Sequence, residues 1–82
     1  MKEPKEKVPV DKDIKPGEKF ISYLFDDDDR KIWGEYTCIS NVGPQYISPW
    51  SKITYHIICS EEKINDRHLV FDIDTCFKSV VI

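Results

Sequence analysis

Apolar and polar residues alternate in short runs along this chain, broken by turn residues at the roughly 8–12 residue spacing of small β proteins. Residues 20–25 are apolar on both sides. Phe20 and Leu24 point one way, Ile21, Tyr23 and Phe25 the other, and only Ser22 relieves the run. A strand buried on both faces belongs at the centre of a sheet, or in a barrel whose outer face the N-terminal arm or a partner covers. Residues 31–40 alternate better: Ile32, Tyr36 and Cys38 share a face with Gly34, while Trp33, Glu35, Thr37 and Ile39 share the other. A glycine inside such a run predicts a bulge or a strong bend at Gly34. Residues 52–59 have the cleanest period of two, with Ile53, Tyr55, Ile57 and Cys59 aligned. Residues 68–73 and 77–82 supply a fourth and a fifth strand.

The connections carry their own signals. Pro16-Gly17 is type II turn chemistry: proline presets the first central position and glycine supplies positive φ at the second. Asp26 to Arg30 joins the first two strands. Residues 41–51 form the longest irregular segment, with Gly43-Pro44 and Ser48-Pro49 as turn dipeptides. Residues 60–66 are polar, and Glu61 and Glu62 are expected to start a short helical turn that Asn65-Asp66 ends. Asp74-Thr75-Cys76 suggests a tight turn.

The expected fold is therefore all-β. It is a small, five-stranded, strongly curved antiparallel sheet, or a partly open SH3-like or OB-like barrel, with a PUA-like module as the next candidate. Residues 14–82 make one domain. Residues 1–13 read as a flexible arm, because charges alternate in sign and Pro4 and Pro9 interrupt any helix. Only Val8 and Val10 could pack there, as a short edge strand.

Composition strengthens the β reading. The chain has no alanine, two leucines and eleven isoleucines in 82 residues, and helices draw on the residues it lacks. The same bias suits a gene from an AT-rich genome, such as those of many bacterial viruses and low-GC bacteria, and a viral or mobile-element source is expected. Charge narrows the partners. Residues 1–19 hold six basic and five acidic groups (+1), and residues 20–82 hold six against ten (−4). An acidic folded portion weakens the case for sequence-independent nucleic-acid binding. No apolar run approaches a membrane span, and no export signal is visible, so a cytoplasmic location is expected. The odd cysteines Cys38, Cys59 and Cys76 read as reduced core thiols rather than a disulfide framework.

No catalytic constellation emerges. The glycines are isolated, no nucleophile elbow is present, and so small a barrel leaves little room for a water-excluded site. His56 and Cys59 fall on opposite faces of a strand, which argues against a metal site. The expectation is a non-enzymatic module without a cofactor. Two features remain for recognition. The run Asp26, Asp27, Asp28 and Asp29 is either a solvated turn or an acidic recognition loop, which with other carboxylates could imitate nucleic-acid phosphates. Trp33, Tyr46 and Trp50 are either a cap on the core or an aromatic anchor patch.

Together these predict a small accessory or inhibitory protein that docks on a protein partner through the three aromatics and the acidic loop. The competing class is a nucleic-acid or modified-base reader using the same aromatics with Lys31, Lys52 and Arg67. A third possibility is self-association through a sheet edge.

Overall fold

The computed structural model describes residues 1–46, 50 and 54–79. Five strands form an antiparallel sheet in the order β4-β3-β2-β1-β5, and the sheet does not close on itself. They are β1 (Lys19–Phe25), β2 (Lys31–Tyr46), β3 (Thr54–Ile64), β4 (Arg67–Asp72) and β5 (Phe77–Lys78), with a 3-10 turn at Ile73–Thr75 before β5. The all-β expectation holds.

β2 is the element that shapes the sheet. Over residues 31–37 it pairs with β1, from Phe25↔Lys31 to Lys19↔Thr37. From Cys38↔Ser60 to Tyr46↔Thr54 it pairs with β3 instead. Register shifts between Cys38 and Ser40 and between Asn41 and Gly43 bend the strand where it changes partner. The bend therefore lies beyond Gly34, whose pairing with Ser22 is unbroken. This corrects the expectation of a bulge at Gly34. It also explains why β2 runs on to Tyr46 through a stretch expected to be irregular: each bulge inserts a residue and scrambles the alternation. Pro44 is tolerated there because the register past Cys38 gives β2 a single strand partner.

β3 likewise outruns its expected end. Glu61 and Glu62 start no helix; they occupy the register shift between Cys59 and Lys63, and the strand continues to Ile64. Asn65 (φ 54°) and Asp66 (φ 63°) then reverse the chain. Two successive left-handed residues are the mark of a tight type I′ hairpin, and short polar side chains tolerate that geometry best. The expected starts of the third strand at Lys52 and Ile53, and the final residues 80–82, lie outside the described residues.

The core fills the angle between the two halves of the bent sheet. Phe20, Cys38, Ile58, Phe71, Ile73 and Cys76 are buried in it, together with Val10 and Ile14, and Leu24, Tyr36 and Leu69 pack against them. Phe20 meets Phe71 edge-on at 5.4 Å between centroids. Ser22, fully buried, donates a 2.7 Å bond to the Thr75 carbonyl and ties β1 to the 3-10 turn. Val10 belongs to this core, so the packed unit begins within the segment expected to be a free arm. Val10 N–H donates to the Cys76 carbonyl and Lys78 N–H to the Val8 carbonyl, which lays residues 8–10 along β5 as the short edge element considered for them.

The Pro16-Gly17 turn is as expected. Glu18 N–H donates to the Lys15 carbonyl at 3.1 Å, and Gly17 takes φ 95°. Gly17 and Glu18 then share Cys38 as their common partner on β2.

Candidate interaction site on the open edge of β2

Cys38 exchanges both of its main-chain bonds with this turn: its N–H donates to Glu18 and its carbonyl accepts from Gly17, each at 2.8 Å. In an antiparallel ladder that fixes the parity of the whole strand. Tyr36, Gly34 and Ile32 turn their main-chain groups towards β1, and Trp33, Glu35 and Thr37 turn theirs the other way. The bond from Asp26 N–H to the Arg30 carbonyl, at the far end of the pair, has the same parity. On that outward side the register with β3 stops at Cys38↔Ser60. β3 diverges from β2 beyond this point, following its own hairpin with β4.

The divergence leaves an open cleft of about 360 Å³ lined by Glu35, Tyr36, Thr37, Glu61, Glu62 and Lys63. Its floor is a strand edge and its rim carries three carboxylates against one ammonium. Glu35 is held internally, 3.6 Å from Lys19 Nζ and accepting from the Ser79 hydroxyl. Glu61 and Glu62 are exposed, and no ion pair holds them among the described residues. Burial, and then the Glu62 carboxylate, push the Tyr36 phenol above its ordinary value, so it stays a neutral donor in the cleft. Alternation along the chain does not reveal this site, because Glu61 and Glu62 read as the start of a helical turn. Two adjacent glutamates breaking an otherwise clean strand period were the available signal.

The expected site residues do not converge. Trp33 is only 8% exposed. It packs edge-on against Tyr23 at 4.9 Å and beside Phe77 at 6.1 Å, with Lys7 Nζ 5.8 Å over its ring. Trp33 is thus no exposed anchor but the centre of a second apolar layer, on the face of β1 and β2 opposite the main core. Tyr46 and Trp50 are 74% and 90% exposed. The acidic loop and Tyr46 lie at opposite ends of β2.

That loop is an internally bonded turn. Asp26 Oδ1 accepts from the N–H groups of Asp28 and Arg30 at 2.8 Å each, and Asp26 Oδ2 from Arg30 Nε at 3.2 Å. Asp28 accepts from the same guanidinium at 3.1 Å. Asp27 and Asp29 remain exposed. Asp72 is similarly engaged, capping the 3-10 turn at Asp74 N–H. With Glu35 also paired, Asp26, Asp28, Glu35 and Asp72 of the array expected to imitate phosphates are spent on local structure, while Asp27, Asp29, Glu61, Glu62, Asp66 and Asp74 stay exposed.

Of the three cations, Lys31 lies 4.6 Å over the Tyr23 ring, Arg67 opens β4 opposite Ile64, and Lys52 lies outside the described residues. His56 Nε2 is 2.6 Å from Asn41 Oδ1, and the Asn41 amide donates to the Lys12 and Ile14 carbonyls. Since the amide nitrogen is the donor, Oδ1 must accept, so Asn41 ties the arm to β2 and His56 holds the Asn41 amide in place from β3. No helix among the described residues is long and apolar enough to cross a membrane. Comparison with protein-family models, curated proteins and solved structures found no match to this chain.

Proposed function

We propose that this chain is a non-enzymatic protein-binding module, an accessory or inhibitory protein that engages its partner by strand addition along β2. One observation carries this reading: among the described residues, 31–36 of β2 pair on one side only, with β1, so the outward groups of Trp33 and Glu35 have no strand partner, and Glu35 opens on the cleft. An unpaired strand edge is a template for another chain, and main-chain bonds along it supply affinity while neighbouring side chains supply selectivity. A four-strand meander, a 3-10 turn and a fifth strand beside the first resembles an SH3-like sheet in architecture, an analogy of fold alone, and the open edge itself carries the functional reading. Tyr46 and Trp50 offer aromatic surface for a second contact at the other end of β2.

The test is affinity capture of the tagged chain with and without nuclease, followed by amide hydrogen exchange on the recovered complex. A stoichiometric protein that survives nuclease and slows exchange at Trp33 and Glu35 is the expected result. Recovery of nucleic acid alone, or loss of every partner after nuclease, would replace this reading with the base-reader alternative.

A further inference from the structure

We infer that the occupant of the β2 edge is an extended basic segment of another protein, with lysine or arginine side chains set against Glu61 and Glu62. This rests on the protein-binding reading above and specifies its partner. Side chains of an added strand alternate between faces. One set would lie beside Glu35, on the face whose carboxylate Lys19 and Ser79 already hold. The other set would lie beside Tyr36, whose phenol feels the Glu62 charge. The cleft is open and within the size range of ligand sites, so charged side chains can enter partly solvated, where pairing costs little desolvation.

The same charges reject the other occupants. A second copy of this chain would bring the same glutamates edge to edge, and like charges directly opposite on paired strands are destabilising. A nucleic-acid strand would place phosphates against Glu61 and Glu62. An acidic or neutral peptide could use the main-chain bonds but would leave both carboxylates unmatched. Basic extended chain is the class that satisfies edge and rim together.

A short fluorescent peptide alternating lysine and valine, and its glutamate counterpart, would be titrated with the full chain. The lysine peptide is expected to bind, the glutamate peptide to fail, and amide exchange to slow at Trp33 and Glu35. Glu61→Gln with Glu62→Gln should weaken binding on the order of tenfold or more. Asp27→Asn with Asp74→Asn, which removes the same charge elsewhere, should change it about twofold or less. No binding of the lysine peptide, equal losses in the two variants, or protection away from β2 would each overturn the inference. A captured protein that protects Trp33 and Glu35, found alongside indifference to the lysine peptide, would reject the basic class while leaving the protein-binding reading intact.

Discussion

Tyr36 folds its phenol back over Gly34: a β-carbon on Gly34 would stand 3.0 Å from Tyr36 Oη and 3.2 Å from Cζ. The glycine is there to make room for a ring, not to bend the strand. Tyr36 in turn packs on Phe71 at 4.8 Å and on Phe20 at 5.9 Å, so its position couples the cleft to the core. Gly34→Ala asks the ring to give by a few tenths of an ångström, and the gain in strand propensity offsets much of that. Gly34→Val asks for more than the ring can give, and should cost about 1–3 kcal/mol in urea unfolding. Adding Tyr36→Ala should make the pair less destabilised than the sum of the two single variants, by about 0.5–3 kcal/mol. Strict additivity would mean that the ring does not press on Gly34.

Asp26 and Asp29 are the same residue type in one loop, yet their substitutions should act in opposite directions. Asp26 carries the loop through its bonds to Asp28 N–H, Arg30 N–H and Arg30 Nε. Asp26→Ala should destabilise by about 1–2 kcal/mol. Asp29 holds φ 57°, where a β-carbon is a burden. Asp29→Gly should stabilise by a few tenths to about 1 kcal/mol, the relief being partly cancelled by the freer unfolded chain. Asp27→Ala should stay within about 0.5 kcal/mol. Thermal or urea unfolding of the three variants reads out the order directly.

The two tryptophans separate folding from recognition. Trp33→Ala removes the ring that Tyr23, Phe77 and Lys7 surround, and should cost about 3–5 kcal/mol. That is a large share of the roughly 5–15 kcal/mol that holds a typical domain together. Trp50→Ala, at a residue 90% exposed, should move stability by about 0.5 kcal/mol or less. If Trp50 anchors a partner, the same change weakens the complex tenfold or more, about 1.4 kcal/mol. A Trp50→Ala variant that binds its captured partner at full strength would confine recognition to the open edge of β2.

The strands with a clean period were legible, and the ones that bend were not. Phe20, Ile21 and Ser22 are buried on both sides of β1, as an apolar run in a central strand requires. Gly17 at φ 95° follows from its proline neighbour. What failed shares one physical cause. Alternation reports a strand only while its register is regular; the shifts at Ile39 and at Glu61 to Glu62 fall where the pairing of β2 with β3 ends, and a further shift at Val42 interrupts it midway. The open edge of β2 was hidden for the same reason, since it exists only because β3 diverges at Ser60. Trp33 shows a second limit. Its strand face looked the less apolar one along β2 alone, but Tyr23, Phe77 and the arm complete that face from elsewhere in the chain.

Cys76 makes stability depend on alkaline pH in a defined direction. Burial pushes its thiol from the ordinary 9.0 up to about 12, with hydrogen bonds to Ser22 and Thr75 working against the shift. Burial raises the Cys38 thiol as well. In the unfolded chain these thiols ionise near their ordinary value, while in the folded chain they keep their protons. The folded state therefore binds more protons above about pH 9, and the stability gained from keeping Cys76 neutral is lost progressively as pH rises towards about 12. The slope reaches at most about 1.4 kcal/mol per pH unit for one thiol. Urea unfolding between about pH 8 and 10.5 should show falling stability, and Cys76→Ala, though less stable throughout, should show a shallower fall. In the native protein an alkylating reagent should reach half-buried Cys59 first, with Cys38 and Cys76 reacting on the timescale of unfolding. Rapid modification of Cys76 in the folded chain would mean that the joint between β1 and the 3-10 turn opens without global unfolding.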